Sequence, residues 1–169
     1  GYAQGRNNTG TDIYGNGILT YGSTVLDSAG GNITLRGQGA PSGGGAWASN
    51  GLALSGIINS AAGIINLLGV AYGDAGSQRV TGIAGLGTIT SASPAADAIT
   101  IVGDASASLG SSGEGINTWN GTNGINASNG GGITITAIKS PSAVNGFEPG
   151  GMTIGSASTG PVTIITDVL

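Results

Sequence analysis

The chain has 169 residues, 36 of them glycine, with four Lys+Arg against eight Asp+Glu and a net charge of −4. Cysteine and histidine are absent, which excludes disulfides and thiolate metal sites and removes the commonest metal ligand and general base. Arg6, Arg36, Arg79 and Lys139 are too scattered for the clustered positive charge that nucleic acid demands, and no apolar run approaches the roughly 20 residues of a membrane-spanning helix.

The hydrophobic fraction of 38% and the mean hydropathy of +0.23 oppose disorder, because the aliphatic residues recur at regular places. In chain order, Gly17-Ile18 opens a first strand, Leu26-Asp27-Ser28-Ala29 a second, and Ile33-Thr34-Leu35 a third. The set returns as Gly51-Leu52, Ile58-Asn59-Ser60-Ala61 and Ile65-Asn66-Leu67. It returns again as Gly82-Ile83, Ile89-Thr90-Ser91-Ala92 and Ile99-Thr100-Ile101, then as Gly115-Ile116, Ile125-Asn126-Ala127-Ser128 and Ile133-Thr134-Ile135. The last copy holds Ile154-Gly155-Ser156-Ala157 and Val162-Thr163-Ile164; its first strand falls at either Val144 or Gly151-Met152. No stretch carries a helical period, and glycine at this frequency costs a helix interior about 1 kcal/mol per residue.

A repeat of roughly 33 residues means stacked units, each too small to bury its own apolar face. Three short strands per repeat predict an all-β chain folded as one parallel β-helix, a β-solenoid of about five coils over residues 1–169. Successive coils then lie about 4.8 Å apart, and equivalent residues form columns. Ile33, Ile65, Ile99, Ile133 and Val162 form an inward column, and Leu35, Leu67, Ile101, Ile135 and Ile164 a second. Thr34, Asn66, Thr100, Thr134 and Thr163 form an outward polar column, placed to hydrogen-bond along the axis. Leu68, Val102 and Ile165 form a partly apolar outer stripe beside it. Ser28, Ser60, Ser91 and Ser156 fall at a tight corner; Gly37, Gly69 and Gly103 end the first three alternating runs, where either positive φ or close backbone approach is required. Residues 38–50, 70–81, 104–114 and 138–150 vary in sequence and should lie as long loops along one side.

Three chemistries compete for a site. Trp47, Tyr72 and Phe147 fall in the variable segments, where exposed rings beside Asn and Ser stack on sugars or else lid the core. Asp74, Asp97 and Asp104 are the acids best placed to meet across coils for polysaccharide hydrolysis, but no His, Lys or Arg accompanies them. The calcium-binding Gly-Gly-x-Gly-x-Asp repeat is missing, and isolated turn acids supply too few oxygens for that ion. No catalytic residue, metal or cofactor is therefore expected.

Gly-Gly-Asn-Ile-Thr-Leu-Arg-Gly at 30–37 and Ala-Ile-Thr-Ile-Val-Gly at 98–103, each followed by a variable Gly/Ser segment and a Gly-apolar pair, resemble the repeat regions of filamentous-haemagglutinin-like proteins, the large bacterial exoproteins and autotransporter adhesins. The resemblance covers nearly the whole chain and implies a right-handed shaft projecting from a cell surface. Composition points the same way: little Lys, no Cys and abundant Gly, Ser, Thr and Asn suit secreted surface material. Gly1 begins in a loop-like segment and Leu169 follows a strand, so an excerpt of a longer polypeptide or a stacking subunit is expected. The expected role is structural: an extracellular solenoid whose uncapped coils stack head to tail on a second copy or on more of the same chain, within a fibre or adhesin. A glycan-binding module contacting host or matrix sugars is the alternative, and a polysaccharide-acting enzyme the third reading.

Overall fold

The computed structural model describes residues 2–4, 15–40, 49–110, 112–118 and 123–166. Every element among them is a strand. Strand β1 (Tyr2–Gln4) precedes five layers of three strands each. The first layer is β2 (Ile18–Thr20), β3 (Val25–Asp27) and β4 (Ile33–Gln38); the second is β5 (Leu52–Leu54), β6 (Ile57–Asn59) and β7 (Ile65–Val70). The third is β8 (Val80–Ala84), β9 (Thr88–Ser91) and β10 (Ile99–Asp104); the fourth is β11 (Gly113–Asn117), β12 (Gly124–Ala127) and β13 (Ile133–Ile138). The fifth is β14 (Phe147–Glu148), β15 (Thr153–Ile154) and β16 (Val162–Thr166).

All pairings are parallel and join each strand to its equivalent one layer away. Three sheets result, ordered β1-β4-β7-β10-β13-β16, β2-β5-β8-β11-β14 and β3-β6-β9-β12-β15. The chain is a β-solenoid, with four complete turns between β4 and β16.

Register places Ile33, Ile65, Ile99, Ile133 and Val162 in one column and Leu35, Leu67, Ile101, Ile135 and Ile164 in another. The second sheet adds Ile18, Leu52, Ile83, Ile116 and Phe147; the third adds Leu26, Ile58, Ile89, Ile125 and Ile154. These four columns enclose one continuous apolar core. Alternation in the sequence produces it: in β7, β10 and β13 buried and half-buried residues alternate strictly. Each fully buried aliphatic contributes about 1.5–3 kcal/mol against the ordering cost of so many glycines.

The corner after β3 and β6 is an Asx turn. The Asp27 Oδ1 accepts from the Ala29 N–H at 2.7 Å and the Asn59 Oδ1 from the Ala61 N–H at 3.3 Å. Ala29 and Ala61 consequently sit at φ 51° and 45°. The Ser28 and Ser60 hydroxyls donate to the Gly31 and Gly63 carbonyls, closing the corner. In the fourth layer Ala127 takes the place of Ser91, and the left-handed residues become Asn129 and Gly130.

Gly37, Gly69 and Gly103 answer to close approach, not to φ. A Cβ on any of them would overlap the carbonyl oxygen of Gly51, Gly51's successor Gly82, or Gly115, respectively, across the layer. The chain is pinched here. Beyond the pinch the described loop residues 39–40, 49–51, 71–79, 105–110, 112 and 139–146 form a side lobe, in which Ala71, Val80 and Ala105 make a small second core and Ser77, Ser108 and Ser140 are buried. The fourth layer accepts Ala137 at the pinch, fully buried.

Three expectations need correction. The first strand of the last layer is neither Val144 nor Gly151-Met152: Phe147 pairs with Ile116, so Gly146-Phe147 is the fifth Gly-apolar pair. Val162 and Ile164 hold their columns but are 43% and 46% exposed, because no described layer covers them. Finally, no side-chain hydrogen bond among the described residues joins members of the Thr34, Asn66, Thr100, Thr134 and Thr163 column. The bonded column lies at the corner. Asn59 Nδ2 donates to Asp27 Oδ2 at 3.0 Å, Thr90 Oγ1 to Asn59 Oδ1 at 3.0 Å, and Thr159 Oγ1 to Asn126 Oδ1 at 2.9 Å.

Candidate functional site

Among the described residues β14, β15 and β16 form the last layer. Ile65, Ile99 and Ile133 each donate their N–H upward, to the carbonyls of Ala98, Gly132 and Pro161. Val162 holds the same place in β16, the edge strand of its sheet. β14 and β15 are likewise edges. The inner columns surface there: Phe147, Met152 and Ile154 are only partly buried against the core, and Val162 and Ile164 are exposed. Edge strands with unpaired backbone groups above an apolar interior form a template for another strand.

The opposite end is built from the same three sheets. β2 and β3 are its edges, and β1 reaches only Arg36, Gly37 and Gln38 of β4, so Ile33, Thr34 and Leu35 have no described partner on that side. Leu26, Ile33 and Leu35 are half-buried and, with Asp27, Ser28 and Asn32, line a shallow hollow of about 260 Å³. The Asp27 carboxylate lies on this rim. The Ala29 amide and then the Asn59 amide hold its carboxyl below the ordinary carboxylate range.

A second surface is the outer face of the six-stranded sheet. Thr34, Asn66 and Thr100 on one side and Arg36, Leu68 and Val102 on the other line a trough of about 360 Å³. The outer stripe of Leu68 and Val102 is half-buried in its floor; Ile165, at the top, is 52% exposed.

The aromatic candidates do not converge. Trp47 lies outside the described residues. Tyr72 projects from the loop after the second layer, 37% exposed. Phe147 belongs to the fifth layer and packs on the core over Ile116. Nor do Asp74, Asp97 and Asp104 assemble. Asp74 accepts from the Gly76 N–H and the Ser77 hydroxyl, and Asp104 from the Ser106 N–H, each holding its own turn. Val70, not Asp74, is the register partner of Asp104. No group of three or more His, Cys, Asp or Glu suited to a metal occurs among the described residues.

The acids that do meet are Glu114 and Glu148, a pair the sequence reading passed over. They lie on neighbouring strands β11 and β14, and one Asn117 amide donates to both, at 2.6 and 2.9 Å. Burial, above all, pushes the Glu114 carboxyl above its ordinary range. The Glu148 charge and hydrogen bond add to this; the Asn117 hydrogen bond and Arg79 oppose it. Spacing of 34 residues between them was the available signal, being one repeat.

No family model matches the chain, and neither a curated protein nor a solved structure matches it.

Proposed function

We propose that the chain is a structural solenoid, a shaft segment of an extracellular bacterial fibre or adhesin that joins head to tail with a second copy. One observation carries the reading: Val162 and Ile164 are 43% and 46% exposed, whereas Ile133 and Ile135, one layer below in the same columns, are 1% and 0% exposed. Covering the last layer completes both columns and pairs the edge strands β14, β15 and β16. The opposite edges belong to the same sheets and point the same way along the axis, so one end suits the other. Such a contact is heterologous and does not close on itself, which makes a filament. Composition and the resemblance stated above support placement outside the cell.

Sedimentation and electron microscopy of the purified chain test this. Filaments or linear oligomers are expected, lost when Val162→Asp and Ile164→Asp place charge on the exposed end while the circular dichroism of the chain is retained. Uniform monomers at every concentration overturn the reading.

A further inference from the structure

We propose that Glu114 and Glu148 form a proton-operated latch that seats the terminal layer of the solenoid through β14. β14 is two residues long, and its main-chain bonds to β11 and the residue after it include Ile116 N–H to Gly146 O and Thr118 N–H to Glu148 O, both 3.0 Å. So short an edge strand depends on its side chains. Phe147 supplies the apolar anchor over Ile116; Glu148, the next residue, brings a carboxylate to Glu114.

The geometry makes the pair sensitive to one proton. Both carboxyls reach the same Asn117 amide nitrogen, each taking one of its two hydrogens. Asn117 is 5% exposed, and its Oδ1 is buried without a partner, so the amide serves the two acids at the expense of its own oxygen. Two carboxylates held this close repel when both are charged; one proton converts the repulsion into a carboxyl–carboxylate hydrogen bond. The groups facing Glu114 are few. Glu148 comes from β14, Arg79 from the segment before β8, and Thr81, its register partner in β8, offers a buried and unpartnered hydroxyl. Arg79 is exposed, so its charge is screened by water and offsets the repulsion only in part.

The direction follows. Burial lifts the Glu114 carboxyl, so the folded chain holds that proton more tightly than the unfolded chain does. The stabilisation is complete below the ordinary Glu range near about pH 4 and is lost as pH rises through the folded value above it. Mild acid therefore seats β14, and neutral solution loosens it. Control of assembly by this latch rests on the head-to-tail reading; the latch itself does not.

Hydrogen exchange of the full chain across pH 4 to 8, corrected for intrinsic rates, tests it. The Ile116 and Thr118 amides should lose protection severalfold on going from acid to neutral, while the Ile65 amide, which bonds Ala98 of the next layer and lies two layers below β11, should not change. Glu114→Gln mimics the protonated acid and should keep both amides protected throughout; Glu148→Gln removes the partner charge but not the burial of Glu114, and should weaken the pH dependence without abolishing it. Retention of the wild-type pH dependence in both variants overturns the latch. Sedimentation at pH 5 and pH 7.5 separates the two ideas: a pH-dependent exchange profile without assembly at either pH sinks the stacking and leaves the latch standing.

Discussion

Gly69 lies directly against Gly82 across the pinch between the main stack and its side lobe. A Cβ added to Gly69 would overlap the Gly82 carbonyl oxygen and press on the Ile83 side chain. Neither residue needs the left-handed region, so their glycine identity reflects space alone. Backbone cannot yield as the end of a flexible side chain does. Gly69→Ala should therefore cost at least about 1–3 kcal/mol, the usual penalty of overpacking, read as a lowered midpoint in urea. Gly22→Ala is the control. Its Cβ would meet only the Ser55 carbonyl oxygen at 4.0 Å, and it should stay within about 0.5 kcal/mol of wild type.

The columns make a second prediction, because aliphatic residues in one column meet different surroundings. Ile99 is fully buried between Ile65 and Ile133; Val162 ends the column, 43% exposed. Ile99→Ala should cost about 2–5 kcal/mol, the range for truncating a buried aliphatic. Val162→Ala should cost well under half as much in dilute solution, since it opens no cavity. Thermal melts of the two variants at low concentration decide the matter. Equal losses would mean that the last layer is covered.

The period and the inward columns were legible because an aliphatic is required wherever two layers sandwich a side chain; Ile33, Ile65, Ile99 and Ile133 carry that requirement openly. Phe147 was hidden because it stands in a column otherwise aliphatic, at an edge strand among the described residues, and because it sits beside a stretch that reads as loop. The Gly-apolar pairs were visible; their cause was not, since Gly51, Gly82 and Gly115 are explained by a backbone on a different sheet that only the fold brings near. Glu114 and Glu148 look like isolated acids in the sequence. They meet because register sets Glu148 beside Asn117, whose amide donates to both acids, a contact that only the fold reveals.

Polar columns separate into those that bond and those that only face water. Asn59 accepts from Thr90 and donates to Asp27, spanning three layers. Thr100 occupies the middle of the outer column on the broad sheet and is half-buried without a side-chain bond of this kind. Asn59→Ala should lose three hydrogen bonds, to Asp27, Thr90 and the Ala61 N–H, of about 0.5–1.5 kcal/mol each. Thr100→Val, which keeps the β-branched shape, should fall within about 0.5 kcal/mol of wild type or stabilise slightly. Urea titration of both variants is the measurement. A larger loss at Thr100 would shift the axial hydrogen bonding back to the broad sheet.

Asp27 predicts the acid behaviour of the opposite end. The Ala29 amide and the Asn59 amide both bond its ionised form and hold its carboxyl below the ordinary range. The folded chain thus binds this proton less readily than the unfolded chain, and stability from Asp27 is present above the ordinary Asp range near about pH 4. It is lost as pH falls through the lower folded value. Asp27→Asn keeps the shape and should erase that dependence: the variant should be less stable than wild type at pH 6 and converge on it in strong acid. Glu114 acts in the opposite sense at higher pH, so double variants at Asp27 and Glu114 should show the two effects in separate windows, additively, as expected of sites at opposite ends of the stack. Parallel wild-type and Asp27→Asn curves from pH 6 down to pH 2 would remove Asp27 from the account.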